Sequence, residues 1–421
     1  MLVTLKAEQL FQTIAAFFAA DPPERLGVAV SGGGDSLALM LLLADWARAQ
    51  DATLFVATVD HGLRPEATEE ARFVGAVAEA QGLEHETLTW EGWDGQGNLQ
   101  DAARRARYGL LADWAARLEL QAVALAHTRD DQAETFMMRL ARASGVDGLA
   151  AMPSRRRQHG VSFVRPLLTV SREALRDYLR GRGQAWVEDP SNEDRMYERI
   201  RARDVLAEMA GLGINAETLS VVAGHMTTAR EALDWHAHLE AREAVRVERG
   251  DVVLNRKRWR TLHEEIARRI LRAVLGWIGQ SEYPPRRAKL AQLITSINEG
   301  ATSTLAGCLI RVEPEVIRIS REPGAVAGIT AQQDQVWDGR WRIVGPVAPG
   351  VELRALGEVG LLQCPDWRDS GLPFASLAAS PAVWQGETLL AAPLAGLNPD
   401  WKAEVEGGAE GFFATLLPRR K

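Results

Sequence analysis

The sequence predicts an α/β chain: a parallel, doubly wound sheet, then a mainly helical middle domain, then a small β-containing C-terminal domain. Three observations predict it. From Arg25 to about Arg165, short apolar runs alternate with stretches of roughly 20 to 40 residues that carry helical periodicity, which is the spacing of βαβ crossovers. Near Arg195 the strand signals stop, and helical patterns continue to about Asn298. After a Gly/Ala/Gln stretch from Pro323 to Gln335, read as a linker, strand-like runs return among glycines and prolines. The expected domains are residues 1–210, 211–325 and 336–421.

The strand runs are Arg25–Val30, Thr53–Val59, His85–Trp90, Gln121–Ala126 and Phe163–Val164. Ahead of them, Ile14 to Ala20 is too short for a secretory signal core and follows Lys6, Glu8, Gln9 and Gln12, so it reads as part of an amphipathic first helix. Between the third and fourth runs, Leu99, Ala103, Ala106, Leu110, Trp114 and Leu118 recur every three or four residues, with Asn98 as the expected N-cap and Asp101 at the third position. Further on, Ala216–Arg249 and Arg258–Gly279 read as helices separated by an extended piece, Asp251–Asn255.

Composition excludes whole classes. With 421 residues the chain has room for two or three domains at roughly 150 each. An apolar fraction of 46% and a charged fraction of 25% exclude a disordered chain. The longest apolar run, Leu37–Ala44, falls far short of the roughly 20 residues of a membrane span, so no membrane contact is expected. Cys308 and Cys364 are the only cysteines and form no CxxC pair, which fits a reducing cytoplasm. The net charge of −7 hides an asymmetry: residues 1–150 sum to −10, 151–330 to +6 and 331–421 to −3. An acidic front and a basic middle suggest metal-nucleotide chemistry in one part and polyanion contact in another, although solvated faces account for the same numbers.

The chemistry concentrates in two segments. Leu26 to Ser36 runs from an apolar strand through Gly32, Gly33 and Gly34 into a helix, with Ser31 and Ser36 adding hydroxyls and Asp35 a carboxylate. Backbone amides in such a turn approach a phosphate closely, and the helix start favours an anion. The lysine of a Walker A loop is absent, and so is the GxGxxG spacing. The second segment, Ala126 to Thr135, follows the fourth strand run. In a sheet ordered 3-2-1-4-5 its start meets the glycine loop at the strands' carboxyl ends. His127, Asp131 and Glu134 are expected on one helical face. Capping is the alternative reading for Asp131, and dipole compensation for Asp35.

Ser31–Ser36 resembles the SGGxDS loop of the PP-loop ATP pyrophosphatases, whose fold is adenine nucleotide alpha-hydrolase-like. The resemblance implies that Ser31, Gly32, Gly33, Gly34, Asp35, Ser36 and His61 bind ATP, and that Asp35 helps hold Mg²⁺. Further matches in order are similar to the tRNA(Ile)-lysidine synthetases: Asp60 to Arg64, Asn98 to Tyr108 with Arg104 and Arg107, Arg139 to Leu149, Arg165 to Leu168, and Asp189 to Asn192. That likeness implies adenylation of the wobble cytidine of a CAU-anticodon isoleucine tRNA, then its displacement by free L-lysine. Asp35, His127, Asp131 and Glu134 would be catalytic, with the division of roles among the last three open. Arg64, Arg104, Arg107, Arg199 and Arg201 would contact tRNA. Tyr197 to Arg203 lacks the family's Arg-Asn pair, which leaves the roles of Arg199, Arg201 and Arg203 open. The middle and last domains would bind tRNA, the last at the acceptor stem. A homodimer is compatible with the sequence.

Rival users of the loop fail on inventory: a tRNA thiolase needs cysteines in the first 300 residues, and a GMP or asparagine synthetase needs a glutaminase domain. A non-catalytic RNA-binding module would not need Ser31, Asp35, Ser36, His127 and Asp131 together. Arg155-Arg156-Arg157, expected in a loop, and Arg256-Lys257-Arg258 with Arg260 are the expected grips on tRNA phosphates.

Overall fold

A computed structural model describes residues 2–62, 66–93, 98–188, 198–281, 284–347 and 349–417. The chain divides into two compact units, residues 1–230 and 231–420.

The first unit runs α1 (Leu2–Phe18), β1 (Arg25–Ala29), α2 (Gly34–Gln50), β2 (Thr53–Asp60), α3 (Glu66–Ala80), β3 (Glu84–Thr89), α4 (Leu99–Arg117), β4 (Ala122–Ala124), α5 (Arg129–Ala141), α6 (Val146–Leu149), β5 (Arg155–Gln158), β6 (Val161–Val164), α7 (Arg172–Gly181), α8 (Glu198–Met209) and the start of α9 (Ala216–Ala244). Its strands form one sheet in the order β3-β2-β1-β4-β6-β5, parallel except for the hairpin strand β5. Successive residues serve opposite faces, as the period of two requires. Leu26, Val28, Leu54, Val56, Ala122 and Ala124 pack under α2, α1 and α7. Ala29, Phe55, Ala57, Val123 and Phe163 pack under α4, with Leu111 and Trp114. Helix α2 is apolar nearly all round because its neighbours α1 and α7 cover what the sheet does not. Gly27 is where the sheet admits the Trp114 indole: a Cβ there would stand 2.6 Å from Trp114 Cζ3 and 2.8 Å from Leu120 Cδ1.

Three details depart from expectation. Arg155–Arg157 is a strand, not a loop, closed onto β6 by His159 and Gly160, both at positive φ. Arg155 is fixed by a guanidinium bond to Phe17 O and by stacking over the Phe17 ring. The helix expected over Ala216–Arg249 stops at Ala244, since Arg249 and Gly250 at positive φ close a hairpin that pulls Val245–Glu248 into a strand. And α5 begins after His127, because Thr128 is its N-cap. Among the described residues no single helix is long and apolar enough to cross a membrane.

The second unit continues with β7 (Val245–Glu248), β8 (Asp251–Asn255), α10 (Arg256–Trp259), α11 (Glu264–Gly279), α12 (Arg287–Glu299), β9 (Ser303–Leu305), β10 (Cys308–Val312), β11 (Val316–Arg321), α13 (Pro323–Val326), β12 (Trp341–Val344), β13 (Glu352–Ala355), α14 (Gly357–Leu361), α15 (Phe374–Ala378), β14 (Pro381–Gln385), β15 (Thr388–Ala391), β16 (Lys402–Val405) and α16 (Gly408–Ala414). An antiparallel sheet, β7-β8-β11-β10-β9, packs on α11 and α12, so Asp251–Asn255 is a sheet strand and not a break between helices. A second core gathers Trp337, Trp341, Leu353, Val383 and Trp401. The stretch read as a linker belongs to it: Val326 is fully buried, Ala331 pairs with Leu353, and Ile329 O accepts the Trp337 indole at 2.9 Å. Its small residues hide this packing from a composition reading. Cys308 and Cys364 are buried free thiols.

Candidate active site

Because β1 and β4 are parallel neighbours, the glycine loop after β1 and the His127 segment after β4 leave the sheet at the same edge. Only Gly32 needs glycine for its conformation, with φ at +85°. Gly33 is the N-cap of α2 and offers no side chain to the first-turn amides; the Ser36 amide donates to Gly33 O at 3.1 Å, and those of Gly34 and Asp35 are left for an anion. Ser36 is buried and works inward: its hydroxyl donates to Gly33 O at 2.8 Å and accepts from the Ser31 amide at 3.2 Å, which holds the loop's shape. Val187 braces the loop from outside, its amide donating to Gly32 O at 2.9 Å. His61 follows β2 at the same sheet edge, its ring edge-on to Trp90.

Asp35, Asp131 and Glu134 are brought together by a residue that sequence reasoning missed. Arg172 donates from Nε to Asp35 Oδ2 at 2.9 Å, from Nη2 to Asp131 Oδ1 at 3.2 Å and from Nη1 to Glu134 Oε1 at 3.5 Å. Two bonds from backbone amides put it there: the Arg129 amide donates to Val170 O, and the Arg172 amide donates to the Asp130 side chain at Oδ2, both at 2.8 Å. The available signal was a cation directly after a Ser171 N-cap, in the helix turn where the dipole favours carboxylates.

Asp131 takes the capping position that its place at a helix start allowed. Its Oδ2 accepts from the Thr128 amide at 2.8 Å and the Thr128 hydroxyl at 2.9 Å, completing a capping box, while Oδ1 faces Arg172. Burial works against ionisation of Asp131, but Arg172 and the Thr128 bonds outweigh it and hold the carboxyl below its ordinary range. For Asp35 the balance reverses: burial lifts the carboxyl, Arg172 opposes, and Asp131 and Asp130 add to the rise. Glu134 is buried and already engaged, its Oε1 accepting from Arg203 Nη2 at 2.8 Å and Nε at 3.0 Å.

His127 does not share the helical face of Asp131 and Glu134, since it precedes the cap. It lies instead against Arg165, whose guanidinium also reaches the Tyr108 hydroxyl, a second polar group at the same edge. Arg104 stacks over Tyr108 at 5.3 Å, and Arg107 is partly buried beside it. On α8, Arg199 and Arg203 stand one turn apart and reach Asp131 (3.9 Å) and Glu134, whereas Arg201 is exposed and has no part in these pairs. Arg64 and the Asp189–Asn192 motif lie outside the described residues.

A family profile described as a PP-loop domain matches residues 6–209. A tRNA(Ile)-lysidine synthase of Ruegeria pomeroyi is 56% identical over 417 residues, covering 99% of this chain and 100% of that protein. The synthase of that name from Wolbachia pipientis wMel is 36% identical, with 80% of each chain covered. The one from Bradyrhizobium sp. is 39% identical over 71% of this chain and 90% of its own.

Proposed function

The chain belongs to the tRNA(Ile)-lysidine synthase family, and from that membership we infer that it is an ATP-dependent ligase forming lysidine on an isoleucine tRNA. The end-to-end match to a curated synthase carries the reading. In the proposed reaction the carbonyl oxygen of the wobble cytosine in a CAU anticodon attacks the α-phosphate of ATP and pyrophosphate leaves. The ε-amine of free L-lysine then bonds to that ring carbon, AMP leaves with the ring oxygen, and the amine gives up a proton.

The Gly34 and Asp35 amides at the start of α2 suit the departing pyrophosphate, and the loop from Ser31 to Ser36 with His61 suits ATP. Asp35 fits Mg²⁺, an ion that takes one or two carboxylates and fills its remaining positions with phosphate oxygens and water. Among the described residues there is no cluster of three His, Cys, Asp or Glu that would hold a metal without such phosphates. When bound, Mg²⁺ neutralises charge on the leaving group. Asp131, whose Oδ1 accepts from Arg172, is the carboxylate proposed to meet the lysine amine, and Glu134 to hold Arg203 and Arg172 in place. Arg104, Arg107 and Arg199 are proposed to meet the tRNA near the cleft, with Arg64 and Arg201 as further contacts. Residues 211–325 and 336–421 extend tRNA binding, and the cytoplasm is where these substrates meet.

The test is incubation with ATP, Mg²⁺, lysine and a CAU-anticodon isoleucine transcript, followed by nucleoside mass analysis and AMP assay. The expected product is lysidine with one AMP per modification, lost in Asp35→Asn. An unmodified cytidine with the native chain would overturn the reading.

A further inference from the structure

We propose that Arg165 is a positioning residue that fixes His127 as a neutral imidazole protonated on Nε2, so that His127 acts as a hydrogen-bond donor and not as a base. The starting observation is a buried cation with neutral partners. Arg165 is only 3% exposed. Its Nε donates to His127 Nδ1 at 3.2 Å, its Nη1 to Pro153 O at 3.0 Å and its Nη2 to the Tyr108 hydroxyl at 3.3 Å. No carboxylate among the described residues pairs with it.

A guanidinium has protons to give and no lone pair to offer. Where it meets an imidazole nitrogen, that nitrogen is the acceptor, so Nδ1 of His127 carries the lone pair and the neutral ring carries its proton on Nε2. Arg165 cannot easily turn away. Its amide donates to Ser154 O at 2.8 Å, and the Tyr108 ring that it reaches is itself held edge-on against Phe163 at 4.9 Å and covered by Arg104.

Protonating His127 a second time would place a proton on Nδ1, against the Arg165 N–H. The other charges facing the ring come from three helices: Arg107 on α4 and Arg199 on α8 oppose a positive imidazole, and Asp131 on α5 favours it. Burial and the arginines prevail and push His127 down to about 3. Nε2, by contrast, has no hydrogen-bond partner among the described residues, and the side chain is partly exposed. That N–H is therefore available to a substrate.

What it donates to rests on the proposed function. A fixed neutral donor at the carboxyl edge of the sheet suits a phosphoryl oxygen on which negative charge grows, and it leaves the amine proton of lysine to another group. The tautomer itself rests on the geometry alone.

Two measurements test the pair. In ¹⁵N-histidine-labelled protein, long-range ¹H–¹⁵N spectra should show His127, assigned by its loss in His127→Gln, with a lone pair on Nδ1 and a proton on Nε2, unchanged from pH 5 to 8. Arg165→Met should release the ring to titrate, and Arg165→Lys, which keeps a cationic donor, should preserve the wild-type pattern. An Nδ1–H signal, or a wild-type midpoint between 6 and 7, would overturn the proposal.

In turnover, His127→Gln, whose amide can donate from the Nε2 position, should keep activity within about tenfold, whereas His127→Ala should lose about 100-fold. Equal losses would overturn the donor role. The spectra need no substrate, so a failed tautomer leaves the lysidine reading standing, and a failed lysidine assay leaves the tautomer standing.

Discussion

Arg172 Nε lies 2.9 Å from Asp35 Oδ2, although 137 residues separate the two and each stands in the first turn of its own helix. A guanidinium at a helix start opposes the helix dipole. It is tolerated here because Asp35, Asp131 and Glu134 converge on it and need a common counter-ion. Their charge raises the Arg172 pKa further, against its burial.

Removing that counter-ion has a signed consequence. Burial already raises the Asp35 carboxyl, and Arg172 is the main force holding it down. In Arg172→Met the ionised carboxylate should form only at higher pH, so the acid limb of the rate profile should move upward and AMP formation near neutrality should fall by about 100-fold. Arg172→Lys should recover part of the loss. A profile unchanged in Arg172→Met would detach Arg172 from the chemistry.

Asp131 and Glu134 should separate in their effects. Asp131→Asn should raise the lysine KM by about tenfold with little change in ATP KM, since the proposed amine site uses the charge that Oδ1 shares with Arg172. Glu134→Gln leaves Arg203 and Arg172 short of a buried anion and should cost about 1–3 kcal/mol of stability, read by urea denaturation. A normal lysine KM in Asp131→Asn would remove Asp131 from the amine site.

The basic cluster at α10 divides as well. Arg256 donates to Glu313 O at 3.1 Å, and Arg258 pairs with Glu240 at 2.8 Å, so both serve the fold. Lys257 and Arg260 are exposed. Replacing those two with alanine should lower the log-log salt slope of tRNA binding by ~0.7 to 0.9 per lost phosphate contact and leave ATP affinity alone. An unchanged slope would make this an ordinary solvated helix start.

Asp251 should give the second unit a pH signature. It accepts from Ser376 Oγ at 2.7 Å and Arg318 Nη1 at 3.0 Å, yet burial pushes its carboxyl up to about 6 from an ordinary 3.8. A folded pKa above the unfolded one means a contribution fully present below about 3.8 and lost as the pH rises to about 6. Denaturation midpoints compared between pH 4 and 6 should show this component in the native chain and not in Asp251→Asn. Parallel curves would assign the titration elsewhere.

Much of the active edge was legible because its signals are local. The strand-loop-helix of Leu26–Ser36 and the segment after β4 could be read in place, and the strand order then joined them. Signals that depend on partners were not legible. Ser171-Arg172-Glu173 looks like any helix start until Asp35 is seen beside it. Three arginines erase the apolar alternation of β5, and the helical pattern of α9 runs without a break in composition into β7. His127 was placed one element too late because Thr128, polar and unremarked, caps α5.

The close fit of Gly27 beneath the Trp114 ring ties two distant codons together. While the indole stands, even a methyl at position 27 collides with it, so every single change there is blocked. A smaller residue at 114 opens a hollow costing about 3–5 kcal/mol, and alanine at 27 then partly fills it once the Leu120 methyl at 2.8 Å turns into the space the ring leaves. The order of mutation therefore decides survival: shrink the ring first, enlarge the glycine second. In a pairwise mutational library the double variant should outlive Gly27→Ala alone, and descendants that lose the indole should be those in which position 27 admits a small side chain, with Leu120 still limiting its size.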